Sequence, residues 1–242
     1  MPLLKPPVTG TKPISYFAQS DITCYMLHGT QGDLLIDTGL PQTWRAMADW
    51  LRGFDVRYVF LTHAHVDHDW NAAKLQKQGA KLLLHERDRG LRQHYLSQPV
   101  QPTLPKYRAR NVMQRIGGAF WNSPHYDADT YFSDGDAGML RELGFDAEII
   151  PLPGHTYGSA GILHQNVLYC GDAFTMLWGK PDITPHAVSP AQMCDSLRTI
   201  LRLRPEYLAC GHGLPVAMRE AEPVMQDYLR TYAKSDGKEH HV

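Results

Sequence analysis

The sequence predicts a layered α/β fold, with strands and helices alternating along the chain around a shared core. Three observations carry this expectation. Residues 56–61 (Val-Arg-Tyr-Val-Phe-Leu) and 167–170 (Val-Leu-Tyr-Cys) are short apolar runs that end in polar or glycine turns, as buried strands do. Residues 41–51 place Trp44, Met47, Ala48 and Leu51 at i, i+3, i+4 and i+7, one face of a helix. Apolar side chains make up 43% of the 242 residues and charged ones 20%, which supplies a sizeable core and argues against disorder.

Residues 22–27 and 33–36 are predicted strands joined through Gly29-Thr30-Gln31-Gly32, a hairpin by its turn residues. Pro41 opens the helix that runs to residue 51. A strand over 56–61 follows, then a helix over 70–78 that ends at Gly79, then a short strand over 81–84. In the second half, 147–150, 160–163 and 167–170 are predicted strands, the last running into Gly171-Asp172. Ser189 is expected to cap a helix over 190–203. A strand over 207–210 ends just before His212, and a helix over 220–234 closes the chain. No linker or tandem repeat interrupts it, so one domain over residues 1–242 is expected.

Bulk properties exclude several function classes. Lys plus Arg total 24 against 25 Asp plus Glu, which gives no global attraction to nucleic acid or to an anionic membrane. No run of 18 apolar residues occurs, and Met1 to Pro7 lacks the apolar core of a signal peptide, so a cytoplasmic protein is expected. The four cysteines form no C-x-x-C pair, and structural disulfides are not expected. Cys170 and Cys210 each stand two residues before a candidate ligand and read as small buried strand-end residues.

The densest chemistry lies in Thr62-His63-Ala64-His65-Val66-Asp67-His68, four potential metal ligands within six residues at the end of a predicted strand. Imidazole and carboxylate are the ligands that zinc and its first-row neighbours favour. A rigid strand end holds such ligands in register better than a free loop.

This H-x-H-x-D-H pattern resembles the signature of the metallo-β-lactamase fold superfamily. Four further segments resemble that family's motifs in the family's order: Ile36-Asp37-Thr38-Gly39, Pro153-Gly154-His155-Thr156, Cys170-Gly171-Asp172 and Cys210-Gly211-His212-Gly213. The resemblance implies an αββα sandwich, two packed sheets with helices outside. It implies that His63, His65 and His155 hold one metal and that Asp67, His68 and His212 hold the other, with Asp172 bridging the two. The cofactors implied are two divalent ions, zinc first, with manganese or iron as alternatives. Such a pair delivers a metal-bound hydroxide at neutral pH, and Asp67 is the candidate to orient it and to pass a proton to the leaving group. Asp37 reads either as support behind the ligands or as a turn residue after a strand.

The sequence of the cluster, with an aspartate at 172, is similar to the glyoxalase II and lactonase branch. β-Lactamases of the superfamily carry other residue types where Asp172 stands. Glyoxalase II adds a helical C-terminal domain for which the remaining chain is too short, and flavodiiron proteins place a glutamate where His65 stands. The expected activity is dinuclear hydrolysis of a thioester, lactone or related carboxylic ester. The alternatives are a phosphodiesterase or nuclease, a mononuclear iron enzyme like persulfide dioxygenase, and a non-catalytic binding protein. That last class would be marked by missing ligands, and all seven are present.

Residues 86–130 depart from the strand-helix pattern, with Pro99, Pro102, Pro105 and Pro124 among the aromatics Tyr95, Tyr107, Phe120, Trp121 and Tyr126. Between residues 86 and 115, seven basic side chains face two acidic ones. A connection this long reads as a substrate-covering lid, or as a helical insert or oligomer contact. As a lid, its charge would suit an anionic small-molecule substrate. Membrane and nucleic-acid partners are not expected. His28, His85, His94, His125, His164 and His186 read as ordinary residues, with the cleft as a second place for His186, and Glu239-His240-His241 as a loose tail.

Overall fold

The computed structural model of the protein describes residues 14–94, 97–118 and 123–239. The N-terminal segment, Tyr95, Phe120, Trp121 and the tail histidines His240 and His241 lie outside the described residues. In the first half the strands are β1 (Ser15–Gln19), β2 (Ile22–Gly29), β3 (Gly32–Ile36), β4 (Val56–Phe60), β5 (Lys81–His85), β6 (Gln101–Pro102) and β7 (Thr130–Phe132). The second half adds β8 (Glu148–Pro151), β9 (Ala160–His164), β10 (Val167–Gly171), β11 (Thr175–Leu177), β12 (Lys180–Asp182), β13 (His186–Ala187), β14 (Tyr207–Cys210) and β15 (Val216–Ala217). The helices are α1 (Trp44–Leu51), α2 (Val66–Asp69), α3 (Ala72–Lys77), α4 (Arg89–Gln93), α5 (Arg108–Gly118), α6 (Met139–Glu142), α7 (Pro190–Leu203) and α8 (Met218–Glu239).

Among the described residues one sheet runs β1-β2-β3-β4-β5-β7 and a second runs β15-β14-β10-β9-β8. The first is antiparallel through β3 and parallel from there to β7. The period-2 alternation of each strand sorts its side chains to two faces. Leu34, Ile36, Phe60, Leu83 and Phe132 point inward, where they meet Ile149, Ile162, Tyr169 and Ala209 of the second sheet. Their sequence neighbours Leu35, Val59, Leu61, Leu82 and Leu84 point outward, under Met47 of α1 and Ala72 and Leu75 of α3. The second sheet turns Leu168, Cys170, Leu208 and Cys210 outward to Met193, Leu197 and Ile200 of α7 and to Ala221 and Met225 of α8. Helix, sheet, sheet and helix are therefore stacked, as the αββα expectation has it. Each such large side chain contributes about 1.5–3 kcal/mol of burial energy.

The hairpin between β2 and β3 closes as Gly29 opposite Gly32, and Ser189 caps α7 by accepting the Gln192 amide at 3.3 Å. Some boundaries differ from the sequence reading, as at α8, which runs over Met218–Glu239 rather than 220–234. The helix expected over 70–78 is split, with α2 before it and α3 starting at Ala72. Asn71 breaks the run because its side chain donates to the Thr38 carbonyl at 2.8 Å and the Leu40 carbonyl at 3.0 Å. The strands β6, β7, β11 to β13 and β15 are two or three residues long, too short to show a period. No helix among the described residues is long and apolar enough to cross a membrane.

Phe60 stacks on Phe132 with ring centroids 5.2 Å apart, at the seam between the sheets. Phe60→Ala is expected to cost about 3–5 kcal/mol of stability, measured as a lowered midpoint in denaturant with an unchanged slope.

Candidate metal centre

The candidate site lies where the strands of both sheets end. β4 delivers Thr62 and His63 just past its last residue, and α2 turns Asp67 and His68 back toward them. The loop after β8 supplies His155, the end of β10 supplies Asp172, and the end of β14 supplies His212. Three overlapping groups result, each with ligand atoms within 4.8 Å of one another: His63, His65 and His155; His63, His68 and Asp172; Asp67, His68 and His212. All seven side chains expected from the sequence converge.

Asp37 is the support behind them. It takes a left-handed backbone, φ 60°, which an aspartate tolerates better than most residues. Its carboxylate accepts the Thr62 amide at 2.8 Å, the Thr62 hydroxyl at 2.9 Å and His68 Nδ1 at 2.8 Å. Thr38 adds its amide and hydroxyl to the His68 carbonyl at 2.7 and 2.9 Å. The motif at 36–39 thus clamps α2 onto the end of β4.

These bonds also set which imidazole nitrogen faces inward. His68 Nδ1 donates to Asp37, His155 Nδ1 to the His186 carbonyl at 3.0 Å, and His212 Nδ1 to the Asp21 carbonyl at 3.2 Å. Thr62 gives its hydroxyl proton to Asp37, so His63 Nδ1 is the donor in its 3.1 Å bond to that hydroxyl. The Nε2 atoms of all four are left for the centre. His155 Nε2 and His65 Nδ1 meet 2.9 Å apart. Around the Asp172 carboxylate, His68 Nε2 lies at 3.6 Å, His155 Nε2 at 3.5 Å and His212 Nε2 at 3.4 Å.

The chemistry of this donor set fits divalent cations. His63 Nε2, His68 Nε2 and Asp172 Oδ1 are buried and have no hydrogen-bond partner, a costly state for polar atoms that a cation would relieve. Gly211 is needed beside them, since a Cβ there would come within 2.5 Å of His68 Cε1 and 2.7 Å of Asp172 Oδ1. Burial, reinforced by neighbouring imidazoles, pushes His63 and His65 well below the usual histidine range, which keeps their lone pairs available. Burial would lower His68 as well, but Asp37, Asp172 and Asp67 push it up to about 9. Burial raises the Asp67 carboxyl, yet His68 and His212 hold it below the carboxylate range. Burial would lower His212 too, but Asp172 and Asp67 push it well above the usual histidine range, so a cation entering this side would compete with protons for both imidazoles.

Sequence reasoning missed two members of the neighbourhood, Asp69 and Asp88, and gave the cleft only as a second place for a third, His186. His186 corrects its reading as an ordinary residue: it is buried with its ring centroid 4.5 Å from that of His155 and 5.6 Å from that of His65. Asp69, beside His68, takes hydrogen bonds from Ser123 and from the Tyr126 hydroxyl, and burial lifts its carboxyl to about 7. Asp88 is fully buried and accepts four hydrogen bonds from the ligand loops and the insert. Nothing in the spacing of these three marks them. His28, His85 and His164 pair elsewhere, with Asp33, Asp134 and the Asp146 carbonyl.

A sequence profile described as the metallo-beta-lactamase superfamily matches residues 19–212. YobT, an uncharacterized protein of Bacillus subtilis (strain 168), is 26% identical over 215 residues, 79% of this chain and 83% of its own. BJP-1, a subclass B3 metallo-beta-lactamase of Bradyrhizobium japonicum, superposes with a TM-score of 0.61 at 20% identity, over 93% of this chain and 92% of that one. TTHA1623 in a di-iron-bound form superposes with a TM-score of 0.60 at 22% identity, over 87% and 97%. At such identities the two structures speak to the fold alone.

Asp37→Asn keeps the side chain's size but turns a donor toward groups that themselves donate. It is expected to cost about 1–3 kcal/mol in the metal-free protein, read from denaturant unfolding. The hydrogen-bonded Nδ1–H resonance of His68 should be lost in proton NMR.

Proposed function

This chain belongs to the metallo-β-lactamase superfamily, and on that premise we propose that it is a dinuclear metal-dependent hydrolase of a thioester, lactone or related carboxylic ester. The observation that carries the reading is the convergence of buried, partnerless Nε2 and carboxylate atoms from both sheets. His63, His65 and His155 would hold one cation and Asp67, His68 and His212 the other, with the two oxygens of Asp172 between them. When bound, two divalent cations polarise a carbonyl oxygen and lower the pKa of water to about 7.

The chain's own residues supply the rest. Asp67 is the half-exposed carboxylate of the set, with its Oδ2 3.4 Å from His212 Nε2. Held ionised at the mouth of the centre, it is placed to take a proton from water and return it to the departing alkoxide or thiolate. Asp37, Asp67 and Asp172 oppose the four positive charges of two divalent cations with three negative ones. The ionised water that the pair would carry supplies the fourth, so the loaded centre is close to neutral.

The insert supports an anionic small-molecule substrate. Its strand β6 pairs with β13, setting Pro102 opposite His186. Thr103 donates to the Thr184 carbonyl at 2.6 Å and Lys106 reaches Asp182 at 2.9 Å. The stretch of the insert from Gln101 to Lys106 therefore runs beside the centre, where a lid on a single domain would stand. Cys24, Cys170 and Cys210 are buried thiols, in keeping with a reducing, cytoplasmic setting. Zinc is the proposed metal. Iron is the second reading, favoured by the di-iron form of a protein with this fold.

The test is a metal count on the purified protein, then a panel of thioesters, lactones, phosphodiesters and β-lactams. Two zinc ions per chain with turnover of the first two classes is the expected outcome. One iron with oxygen uptake, or turnover of phosphodiesters alone, would replace the reading. Asp67→Ala should lower kcat by about 10²–10⁴-fold with an unchanged circular dichroism spectrum, and full activity in that variant would remove the mechanism. Stripping the metal with a chelator should lower the melting temperature, because a bound ion stabilises the native state by mass action.

A further inference from the structure

Asp88 stands at the N-cap of α4, where an aspartate ordinarily caps the helix, yet its side chain makes no cap bond. The carboxylate turns inward and is fully buried. Its Oδ2 accepts the Thr156 hydroxyl at 2.7 Å and the Ala64 amide at 3.2 Å. Its Oδ1 accepts the Gly158 amide at 2.9 Å and the Gln98 side chain at 3.0 Å. Ala64 separates His63 from His65, and Thr156 follows His155. One carboxylate thus holds the backbone beside all three histidines of the first ligand group. The close approach is built in, because a Cβ at Gly158 would meet Asp88 Oδ1 at 2.8 Å.

The other ligand group leans on Asp37, which through Thr62 also backs His63. Asp37 bonds His68 and the end of β4. The hydrogen bonds of Asp88 reach neither Asp67, His68, Asp172 nor His212. Gln98 extends the Asp88 set into the insert, since its Oε1 accepts the Tyr157 amide at 2.9 Å while its Nε2 donates to Asp88.

We infer that Asp88 is a positioning residue for one half of the centre: it spaces the His63–His65 turn from the His155 loop and so sets the affinity of the three-histidine site alone. The inference rests on the metal-centre reading given above. Three imidazoles drawn from two loops bind an ion well only if the loops are held at a fixed separation. Removing such support typically costs about 10–100-fold in metal affinity. An asparagine is close in size but replaces one acceptor oxygen by a donor, which must oppose either the Thr156 and Ala64 pair or the Gly158 and Gln98 pair.

The experiment is zinc binding to the metal-stripped full chain, measured by competition with a chromophoric chelator. Wild type is expected to take two zinc ions. Asp88→Asn should keep one at wild-type affinity and bind the other about 10–100-fold more weakly. In a His155→Ala background, which already lacks the three-histidine set, adding Asp88→Asn should leave zinc affinity unchanged. Should Asp88→Asn not fold, Thr156→Val removes a single donor and should weaken the same site in the same direction by less. A folded Asp88→Asn chain with both affinities intact, or with both lowered equally, overturns the role of Asp88 while leaving the metal centre standing. A wild-type chain that takes up no zinc overturns both.

Discussion

Three donors meet the Asp37 carboxylate, and from that meeting follow the end of β4, the turn of α2 and the orientation of His68. A buried carboxylate is costly unless its lone pairs are filled. Here the donors that fill them belong to the residues that must be held, so satisfying Asp37 and ordering the ligand loop are one event. The left-handed backbone at Asp37 costs local strain of order 1–3 kcal/mol. The Thr62 and His68 bonds offset it and aim the carboxylate at both.

The same logic recurs across the centre. The inward Nε2 atoms of His63, His68, His155 and His212 are each fixed by a donor bond from the opposite nitrogen, to a carboxylate, a hydroxyl or a main-chain carbonyl. Carbonyls from Asp21 and His186 take part, so ligand orientation depends on the main-chain path of segments far away in sequence. This is why the centre sits at the open ends of two sheets. Strand ends present free carbonyls and let tight loops carry side chains inward, while the apolar seam behind them excludes water.

The ligands were legible because their chemistry is local. His63, His65, Asp67 and His68 share one turn, and each later ligand stands at a glycine next to a strand. The sandwich was legible from the alternation in β3 and β4 and from the face of α1. What escaped had no local mark. Asp88 lies in a run whose arginines dominate its charge, and its partners are Thr156 and Gly158, some 70 residues on. His186 enters the site through a two-residue pairing with the insert. The broken helix after α2 needed Asn71 to prefer the carbonyls of Thr38 and Leu40, a choice set by the loop at 37–40 rather than by helix propensity.

His65 and His155 sit on loops that follow strands of different sheets, and their facing nitrogens are separated by 90 positions in the chain. An ion gripped by both would tie those positions together in the folded chain and leave the denatured chain untied, since only folding assembles the ligand set. A cation there would hold the two loops together in the native chain without a covalent link, the four cysteines being free. Susceptibility to proteases becomes a gauge of how fully the centre is loaded.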